Sequence, residues 1–254
     1  MLLAIDVGNT NTVLGLFDRD TLTESFRIKT DPQGTADEMM LTYRGLLSDG
    51  PAVTGISLCS TVPSVLRELR TMLARYYAHV PQVIVEPGTR TGVQILTDNP
   101  REVGADRIVN TLAAHHLYGG PCVVVDFGTS TNLDVVSAQG NFLGGALAPG
   151  IQISLDALSQ RAAQLRKVEL VEPRSVIGKN TVEALQSGAL YGFAGQVDGL
   201  VDRIRAELPG IEHVIATGGL AEIVVPESRT ITDHCPELTL VGLALVFAKN
   251  LAVG

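Results

Sequence analysis

Two short segments combine an acidic residue with glycine and small polar residues in the same order. Ala4–Val13 reads Ala-Ile-Asp-Val-Gly-Asn-Thr-Asn-Thr-Val, and Val124–Leu133 reads Val-Val-Asp-Phe-Gly-Thr-Ser-Thr-Asn-Leu. Glycine lets a backbone approach a phosphate closely, and small hydroxyl and amide side chains can donate hydrogen bonds to it. The pattern predicts a site for a phosphate and its metal, although either segment alone is also typical of a β-hairpin turn.

The two segments lie almost half a chain apart. Asp6 and Asp126 differ by 126 minus 6, or 120 positions, in a chain of 254 residues. This spacing favours a duplicated domain whose two copies face each other across a cleft. Facing carboxylates repel one another, so we expect a bound cation between them. The alternative for each Asp is a local turn cap.

A second acidic cluster, Gly104-Ala105-Asp106-Arg107, falls in the early turns of a predicted helix. Asp106 is a candidate general base, and Arg107 is a candidate anion clamp because its guanidinium is a rigid fork of donors. A solvated Asp–Arg pair on a helix surface is the alternative. Glycine inside a helix costs about 1 kcal/mol relative to alanine, so Gly104 indicates that something packs closely there.

The sequence excludes a P-loop as the phosphate-binding motif, and it argues against nucleic-acid and membrane partners. None of the four lysines lies in a Gly-x-x-x-x-Gly-Lys loop, so backbone N–H groups, hydroxyls and a carboxylate-held metal must hold any phosphate. A net charge of −8 argues against a nucleic-acid partner. No apolar run approaches the ~20 residues of a membrane span. Three scattered cysteines, Cys59, Cys122 and Cys235, favour a reducing cytoplasm over a disulfide framework or a zinc site.

The periodicity predicts an α/β fold in which three strands open each half, followed by alternating helices and strands. We predict a boundary at the Gly119-Gly120 pair, giving domains 1–118 and 119–254. The predicted strands cover 2–6, 12–17, 22–28, 55–60, 83–85, 122–126, 132–137, a strand from 142, and 214–217. The predicted helices cover 35–48, 63–77, 100–117, 151–163, 181–207 and 238–251.

Glycine-rich segments add further expectations. Gly144–Gly150 is predicted to be a turn before a helix, either lining a pocket or an interface or serving as a plain β-to-α connection. Ala216-Thr217-Gly218-Gly219 follows a strand and could let a flat nucleobase or ribose lie against bare backbone. The 181–207 helix carries four glycines in two pairs spaced four residues apart: Gly188, Gly192, Gly195 and Gly199. Each pair opens a flat strip, either for packing on this chain's own sheet or for a two-fold contact with a second copy.

Taken together, these segments resemble the type III pantothenate kinase family over essentially the whole chain. The resemblance is carried by the blocks Asp6–Thr12, Asn99–Arg107, Asp126–Asn132, Gly144–Gly150, Gly178–Thr181 and Ala216–Gly219. It implies two ribonuclease-H-like domains of the actin-like ATPase superfamily, assembled as a homodimer. It also implies ATP-dependent phosphorylation of pantothenate to 4'-phosphopantothenate, the first step of coenzyme A biosynthesis.

The resemblance also implies roles for individual residues. ATP phosphates would lie at Asp6, Val7, Gly8, Asn9, Thr10, Asn11, Thr12 and Val13, with Thr129 also touching the nucleotide. Pantothenate would be held by Gly104, Ala105, Asp106, Arg107 and Thr181, with Asp106 as base. A monovalent cation, K⁺ or NH₄⁺, would bind at Asp126, and Mg²⁺ would be held through Asp6.

One position departs from the family pattern. Many members have a tyrosine that contacts pantothenate just before the Asn-Pro pair, where this chain has Thr97. This departure supports a second hypothesis, a catalytically weak nucleotide-binding regulatory protein of the same fold. A third hypothesis is another small-alcohol or sugar kinase of the superfamily, and the Gly104–Arg107 cluster favours the pantothenate kinase over it.

Overall fold

The first sheet begins with an antiparallel hairpin of apolar strands. The computed structural model describes residues 1–47, 50–161 and 167–251. The strands of this sheet are β1 (Leu2–Val7), β2 (Asn11–Asp18), β3 (Thr21–Lys29), β4 (Gly55–Ser60) and β5 (Gln82–Ile84). Their spatial order is β3-β2-β1-β4-β5, in which β1, β2 and β3 are antiparallel and β4 and β5 run parallel to β1.

The second sheet repeats this arrangement. Its strands are β6 (Cys122–Phe127), β7 (Ser130–Val136), β8 (Phe142–Pro149), β9 (His213–Thr217) and β10 (Asp233–His234). Their order is β10-β9-β6-β7-β8, which is the order of the first sheet read from the other edge. Again the first three strands are antiparallel and the last two run parallel to the first of them. The predicted duplicated α/β fold is therefore confirmed.

Seven α-helices accompany the sheets in the described residues. They are α1 (Ala36–Leu47), α2 (Pro63–Tyr76), α3 (Ala105–Tyr118), α4 (Ile151–Arg161), α5 (Thr181–Glu207), α6 (Ala221–Val224) and α7 (Leu238–Leu251). Local chemistry fixes several starts: Thr35 and Glu38 form a capping box before α1, and Pro63 opens α2. None of the helices described is long and apolar enough to cross a membrane.

Each sheet carries its own core. In the first sheet, Leu3, Ile5 and Val7 pack with residues of α1 and α2, whereas Ala4 packs on the opposite face with Val109 of α3. This alternation follows from the two-residue period of a strand. The second sheet builds a third core with α4, α5 and α6.

The described residues form two compact units that exchange chain segments. The first comprises Met1–Gly92, Asn99–Ala113 and the residues from Thr239 onward, and the second comprises Val93–Asp98 and Ala114–Leu238. Helix α7 thus counts with the first unit, where Ser57 Oγ donates to the carbonyl of Leu243 at 2.8 Å. The sequence had assigned that helix to the second half, and the division at 118 and 119 stays a prediction.

Two predicted elements are wrong in detail. The helix predicted over 100–117 is a 3₁₀ turn at Pro100–Glu102 followed by α3, because the helical conformation is interrupted at Val103 and Gly104. The predicted turn at Gly144–Gly150 is mostly strand β8, which pairs with β7 through its backbone despite its glycines. The predicted ends of two helices, at Ser48 and Ala163, lie outside the described residues.

Candidate active site

Asp6 lies at the end of β1 on the face that α3 covers. Its side chain points to the same side as Ala4, since residues two apart in a strand share a face. Ala4 packs with Ala105 and Val109, which belong to the first turns of α3. The strand end therefore faces the start of the helix that carries Asp106.

Cys59 is the neighbour of Asp6 on the adjacent parallel strand. The two residues are in register between β1 and β4, and Cys59 Sγ donates to Asp6 Oδ1 at 3.4 Å. Burial raises the pKa of Asp6 to about 6; the negative charge of Asp106 adds to the rise, and the Cys59 hydrogen bond opposes it. Asp6 and Asp106 thus act on each other electrostatically within the first unit.

Asp106 folds back against the chain that precedes it. Its Oδ1 accepts the backbone N–H of Arg107 at 2.9 Å, and a Cβ on Gly104 would lie 2.5 Å from the same oxygen. Gly104 therefore leaves room for this carboxylate. It precedes α3, so the helix-interior position expected from the sequence is wrong, although a close neighbour is present. Burial raises the pKa of Asp106, whereas hydrogen bonds from the backbone N–H groups of Arg107 and of Asp106 itself, and the positive charge of Arg107, lower it. A fully solvated surface pair does not fit these observations.

The backbone of the turn after Asp6 is fixed by hydrogen bonds, and the side chains at its tip are exposed. Gly8 N–H donates to the carbonyl of Asn11 at 3.0 Å, and Thr30 Oγ1 donates to the carbonyl of Gly8 at 2.7 Å. Asn9, Thr10 and Asn11 are exposed, so their side chains are available to a ligand.

Three further residues of the predicted nucleotide segment are less open. Val7 packs in the core, Thr12 Oγ1 bonds Thr30 Oγ1 at 2.9 Å, and Val13 is half-buried. The side chains of Val7 and Thr12 thus support the turn instead of presenting polar groups to a ligand.

Asp126 is the last residue but one of β6 in the second unit, and the turn after this strand is shorter than the turn after β1. Gly128 N–H donates to the carbonyl of Ser130 at 3.0 Å, and Thr129 is exposed. Gly218 has φ +93°, and a Cβ there would lie 2.5 Å from Asp126 Oδ1. The glycine after β9 thus lies directly against the aspartate and requires a residue without a side chain.

Asn132 faces Asp126 across the hairpin. The two residues are paired in register between β6 and β7, which puts both side chains on one face about 5 Å apart at Cβ. Asn132 is only 7% exposed, and its Oδ1 has no hydrogen-bond partner within the part of the chain that the structure describes. A buried carbonyl oxygen beside a carboxylate is a suitable pair of ligands for a hard cation.

The two remaining predicted positions lie in the second unit. Thr181 is the exposed first residue of α5, and Asn180 is the cap, accepting the N–H of Glu183 at 2.9 Å. Thr97 follows a short segment that pairs with the start of β8, and its Oγ1 is buried without a partner among the described residues.

The structure therefore brings Asp6, Cys59 and Asp106 together in one unit, and Asp126, Asn132 and Gly218 together in the other. No three His, Cys, Asp or Glu side chains cluster as a metal site in residues 1–47, 50–161 and 167–251. A divalent ion here would depend on water and substrate phosphates for most of its ligands, as Mg²⁺ commonly does. Sequence reasoning missed Cys59 because no motif marks it, and it gave Asn132 no role although that residue lies in the Asp126–Asn132 block.

Solved structures share this fold at low sequence identity. The activator of 2-hydroxyisocaproyl-CoA dehydratase from Clostridium difficile, with bound ADPNP, matches with a TM-score of 0.60 at 13% identity, covering 99% of this chain and 95% of that one. A ROK hexokinase from Thermus thermophilus matches with a TM-score of 0.54 at 16% identity, covering 100% and 99%. These likenesses support the two-domain fold of the actin-like ATPase and sugar kinase class.

Sequence comparisons are more specific. The family model for type III pantothenate kinase matches residues 2–203. A type III pantothenate kinase of Frankia alni is 70% identical over 251 residues, covering 99% of this chain and 100% of that protein. Another, of Saccharopolyspora erythraea, is 66% identical over 262 residues, covering 98% and 99%. The chain therefore belongs to the type III pantothenate kinase family.

Proposed function

We propose that this chain transfers the γ-phosphoryl group of ATP to the primary hydroxyl of pantothenate, giving 4'-phosphopantothenate in the first step of coenzyme A biosynthesis. Family membership supports the substrate pair. The observation that carries the chemistry is the pair of partly buried carboxylates, Asp6 and Asp106, each with a raised pKa. One can serve a metal–phosphate group and the other a hydroxyl.

Asp106 is the base in this proposal. Phosphoryl transfer depends mainly on positioning and charge neutralisation, so the base orients the hydroxyl and takes its proton late. Burial makes Asp106 a stronger proton acceptor than a solvated aspartate. The N–H of Arg107 holds the carboxylate in one orientation at the start of α3.

Asp6 and the turn at 8–11 serve the nucleotide. Mg²⁺, when bound, neutralises charge on the phosphates, and Asp6 would hold it, directly or through water. The exposed side chains of Asn9, Thr10 and Asn11 and the turn backbone are suited to donate to phosphate oxygens. Thr129 is exposed on its own turn and is assigned to the nucleotide as well.

A monovalent cation fits Asp126. Its carboxylate lies opposite the buried Oδ1 of Asn132, which has no hydrogen-bond partner among the described residues, and a cation would satisfy that amide oxygen. Asp126 and Asn132 would hold K⁺ or NH₄⁺ within the second unit.

Pantothenate is assigned to Gly104–Arg107 and Thr181. Pantothenate is a carboxylate, and the guanidinium of Arg107 is the kind of donor that pairs with one. The hydroxyl of Thr181 is exposed at a helix start, where backbone dipoles also favour an anion.

A homodimer is part of the proposal. Three of the four glycines of α5 do not pack on this chain's own sheet: among the described residues, a Cβ on Gly188, Gly192 or Gly195 would meet nothing within 4 Å, whereas one on Gly199 would meet Arg203 at 3.4 Å. Glycine in a helix costs about 1 kcal/mol, so an open glycine face needs another explanation. Close approach of the same helix in a second copy supplies one.

Cytoplasmic location is also proposed, since Cys59, Cys122 and Cys235 are free thiols.

One assay tests the function against its alternatives. The purified protein is incubated with ATP and pantothenate, with ATP and a panel of sugars, and with ATP alone, and ADP and phosphorylated product are measured by mass spectrometry. We expect product only with pantothenate. Product with a sugar instead would favour another kinase of the superfamily. ATP binding without any turnover would favour the regulatory protein that Thr97 suggests.

A further inference from the structure

We propose that Cys59 is a positioning residue for the phosphoryl transfer, whose thiol fixes the orientation of the Asp6 carboxylate. The proposal rests on the proposed function, in which Asp6 serves the metal and the phosphates. Cys59 does not touch the substrate in this scheme and acts only through Asp6.

The geometry of two paired strands places the thiol at the carboxylate. Asp6 and Cys59 are register partners in the parallel pair β1–β4, so both side chains leave the same face of the sheet. Cys59 is 0% exposed, and its Sγ lies 3.4 Å from Asp6 Oδ1.

A single hydrogen-bond donor is sufficient to orient the Asp6 carboxylate. A thiol is a weak donor, but its acceptor here is charged and largely removed from water, which strengthens the bond. Occupying Oδ1 leaves Oδ2 as the oxygen for a cation or its bound water. Groups that orient a metal-binding side chain in this way typically change metal affinity by about 10- to 100-fold when removed.

The second sheet repeats the arrangement. Thr217 is the register partner of Asp126 between β6 and β9, at the position that Cys59 occupies beside Asp6. Thr217 is 2% exposed. Both strand-end aspartates therefore have a small, buried side chain with a hydrogen-bond donor at the same neighbouring position.

Packing is the competing role for Cys59. The residue belongs to the core that includes Ala4, Val109 and Leu243, so its replacement also removes apolar contacts. Serine and alanine separate the two roles, because both lose the sulfur but only serine keeps a donor on the same carbon. Cys122 is a matched control, since it is equally buried in β6 and its register partners are Val136 and His213 instead of an aspartate.

The experiment measures binding of a non-hydrolysable ATP analogue at increasing Mg²⁺ by calorimetry, alongside kcat and KM for ATP. For Cys59→Ala we expect the half-saturating Mg²⁺ concentration to rise on the order of 10-fold. Cys59→Ser should restore most of that loss. Cys122→Ala and Cys122→Ser should both match the wild type in Mg²⁺ dependence, whatever they lose in melting temperature.

Two results would overturn the proposal. Equal shifts in Cys59→Ala and Cys59→Ser would assign the effect to packing, and an unchanged Mg²⁺ requirement in Cys59→Ala would remove the role altogether. If Cys59→Ala does not fold, Cys59→Val fills the core without a donor and replaces it in the comparison with serine. A wild-type protein that binds the Mg²⁺–analogue complex but leaves pantothenate unmodified would refute the proposed function alone, since the binding comparison would still decide Cys59.

Discussion

Asp6 and Asp126 occupy the same position in two sheets of the same strand order. Asp6 is the fifth residue of β1 (Leu2–Val7), and Asp126 is the fifth residue of β6 (Cys122–Phe127). Their hairpin partners are Val13 and Asn132, seven and six residues further on (13 minus 6; 132 minus 126). The first turn is thus one residue longer, and only the second aspartate faces an amide. The duplicated strand pairs therefore surround the two aspartates with different residues.

The first prediction concerns Asp106. Asp106→Asn should fold and bind ATP like the wild type but lose turnover by about 10²-fold or more, the usual effect of removing a general base. The amide keeps the shape of the carboxylate and cannot take a proton. Steady-state kinetics and calorimetry with ATP measure the two properties separately.

Glu102→Gln is the control for Asp106→Asn. Glu102 is an exposed acid of the preceding 3₁₀ turn that bonds Asn99. Its replacement should leave turnover within a few-fold of the wild type. Turnover of Asp106→Asn in that same range would remove Asp106 from the role of base.

The second prediction concerns the monovalent cation. Activity should require K⁺ or NH₄⁺ in addition to Mg²⁺, and the melting temperature without substrates should rise when K⁺ replaces Na⁺. Asp126→Ala should abolish both responses, and Asn132→Leu should weaken them, because each loses one oxygen ligand. Mg²⁺ dependence should remain in both variants. Identical rates and melting temperatures of the wild type in Na⁺ and in K⁺ would contradict the assignment.

Much of the fold could be predicted from the sequence because its signals are local. Alternating and continuous apolar runs gave the strands, and Asp6 and Asp126 disclosed the duplication. The start of β8 at Phe142 was predicted, but its continuation was taken for a turn because Gly144 and Gly145 have low β-propensity and are kept in the sheet by pairing with β7. Tertiary pairing there overrides local preference.

Site residues that belong to a sequence motif could be predicted, whereas contacts that depend on strand pairing could not. The Gly104–Arg107 cluster could be recognised in the sequence as a candidate catalytic site. The interruption of the helix before α3 accompanies the position of the Asp106 carboxylate over Gly104, which the sequence does not indicate. Cys59 meets Asp6 across 53 residues of chain, through a strand pairing that no local pattern specifies. The unpartnered oxygen of Asn132 is likewise visible only once the hairpin register is known.

The third prediction concerns pH and stability at Asp198. Burial alone would raise the pKa of Asp198, but hydrogen bonds from Ser228, Thr230 and the N–H of Arg229 hold it below its ordinary value. A lowered pKa contributes stability above the unfolded pKa of about 3.9, and this is lost as pH falls through the folded value. Asp198→Asn should therefore cost about 1–3 kcal/mol at pH 7, and less in acid.

Thermal melts of the wild type and Asp198→Asn from pH 7 down to pH 3 measure this dependence. The difference between the two melting temperatures should narrow below about pH 4, near the unfolded pKa. Asp202→Asn is the control, because that more exposed carboxylate bonds only Arg229 at 2.5 Å among the described contacts. A difference that stays constant with pH would show that Asp198 does not act through its charge.

The fourth prediction concerns Gly218. An alanine at φ +93° is strained, and its Cβ would press on Asp126 Oδ1 and the backbone of Phe127. Gly218→Ala should lose at least about 1–2 kcal/mol in urea unfolding from the backbone conformation alone. Gly45→Ala, in a helix where the added Cβ meets nothing within 4 Å among the described residues, should gain up to about 1 kcal/mol instead. Equal stability of Gly218→Ala and the wild type would contradict the close packing.

The last prediction is a site shared between two copies of the chain. Thr181 begins α5, whose Gly188, Gly192 and Gly195 form an open face suited to a two-fold contact. Such a contact could bring Thr181 to the pocket around Asp106 of the partner. Asp106→Asn and Thr181→Arg proteins should each be inactive. After subunit exchange, mixed dimers would contain one intact pocket and recover part of the activity.

Sizing and the mixing assay decide between the outcomes. A monomer in solution would refute the interface, and dimers that mix without regaining activity would show that Thr181 does not act across it. Gly192→Ala gives an independent check on the face itself. If α5 were unpartnered, this change would stabilise the helix by up to about 1 kcal/mol. If two helices approach closely, the added methyl group must instead weaken the dimer, because the backbones can no longer meet at that position.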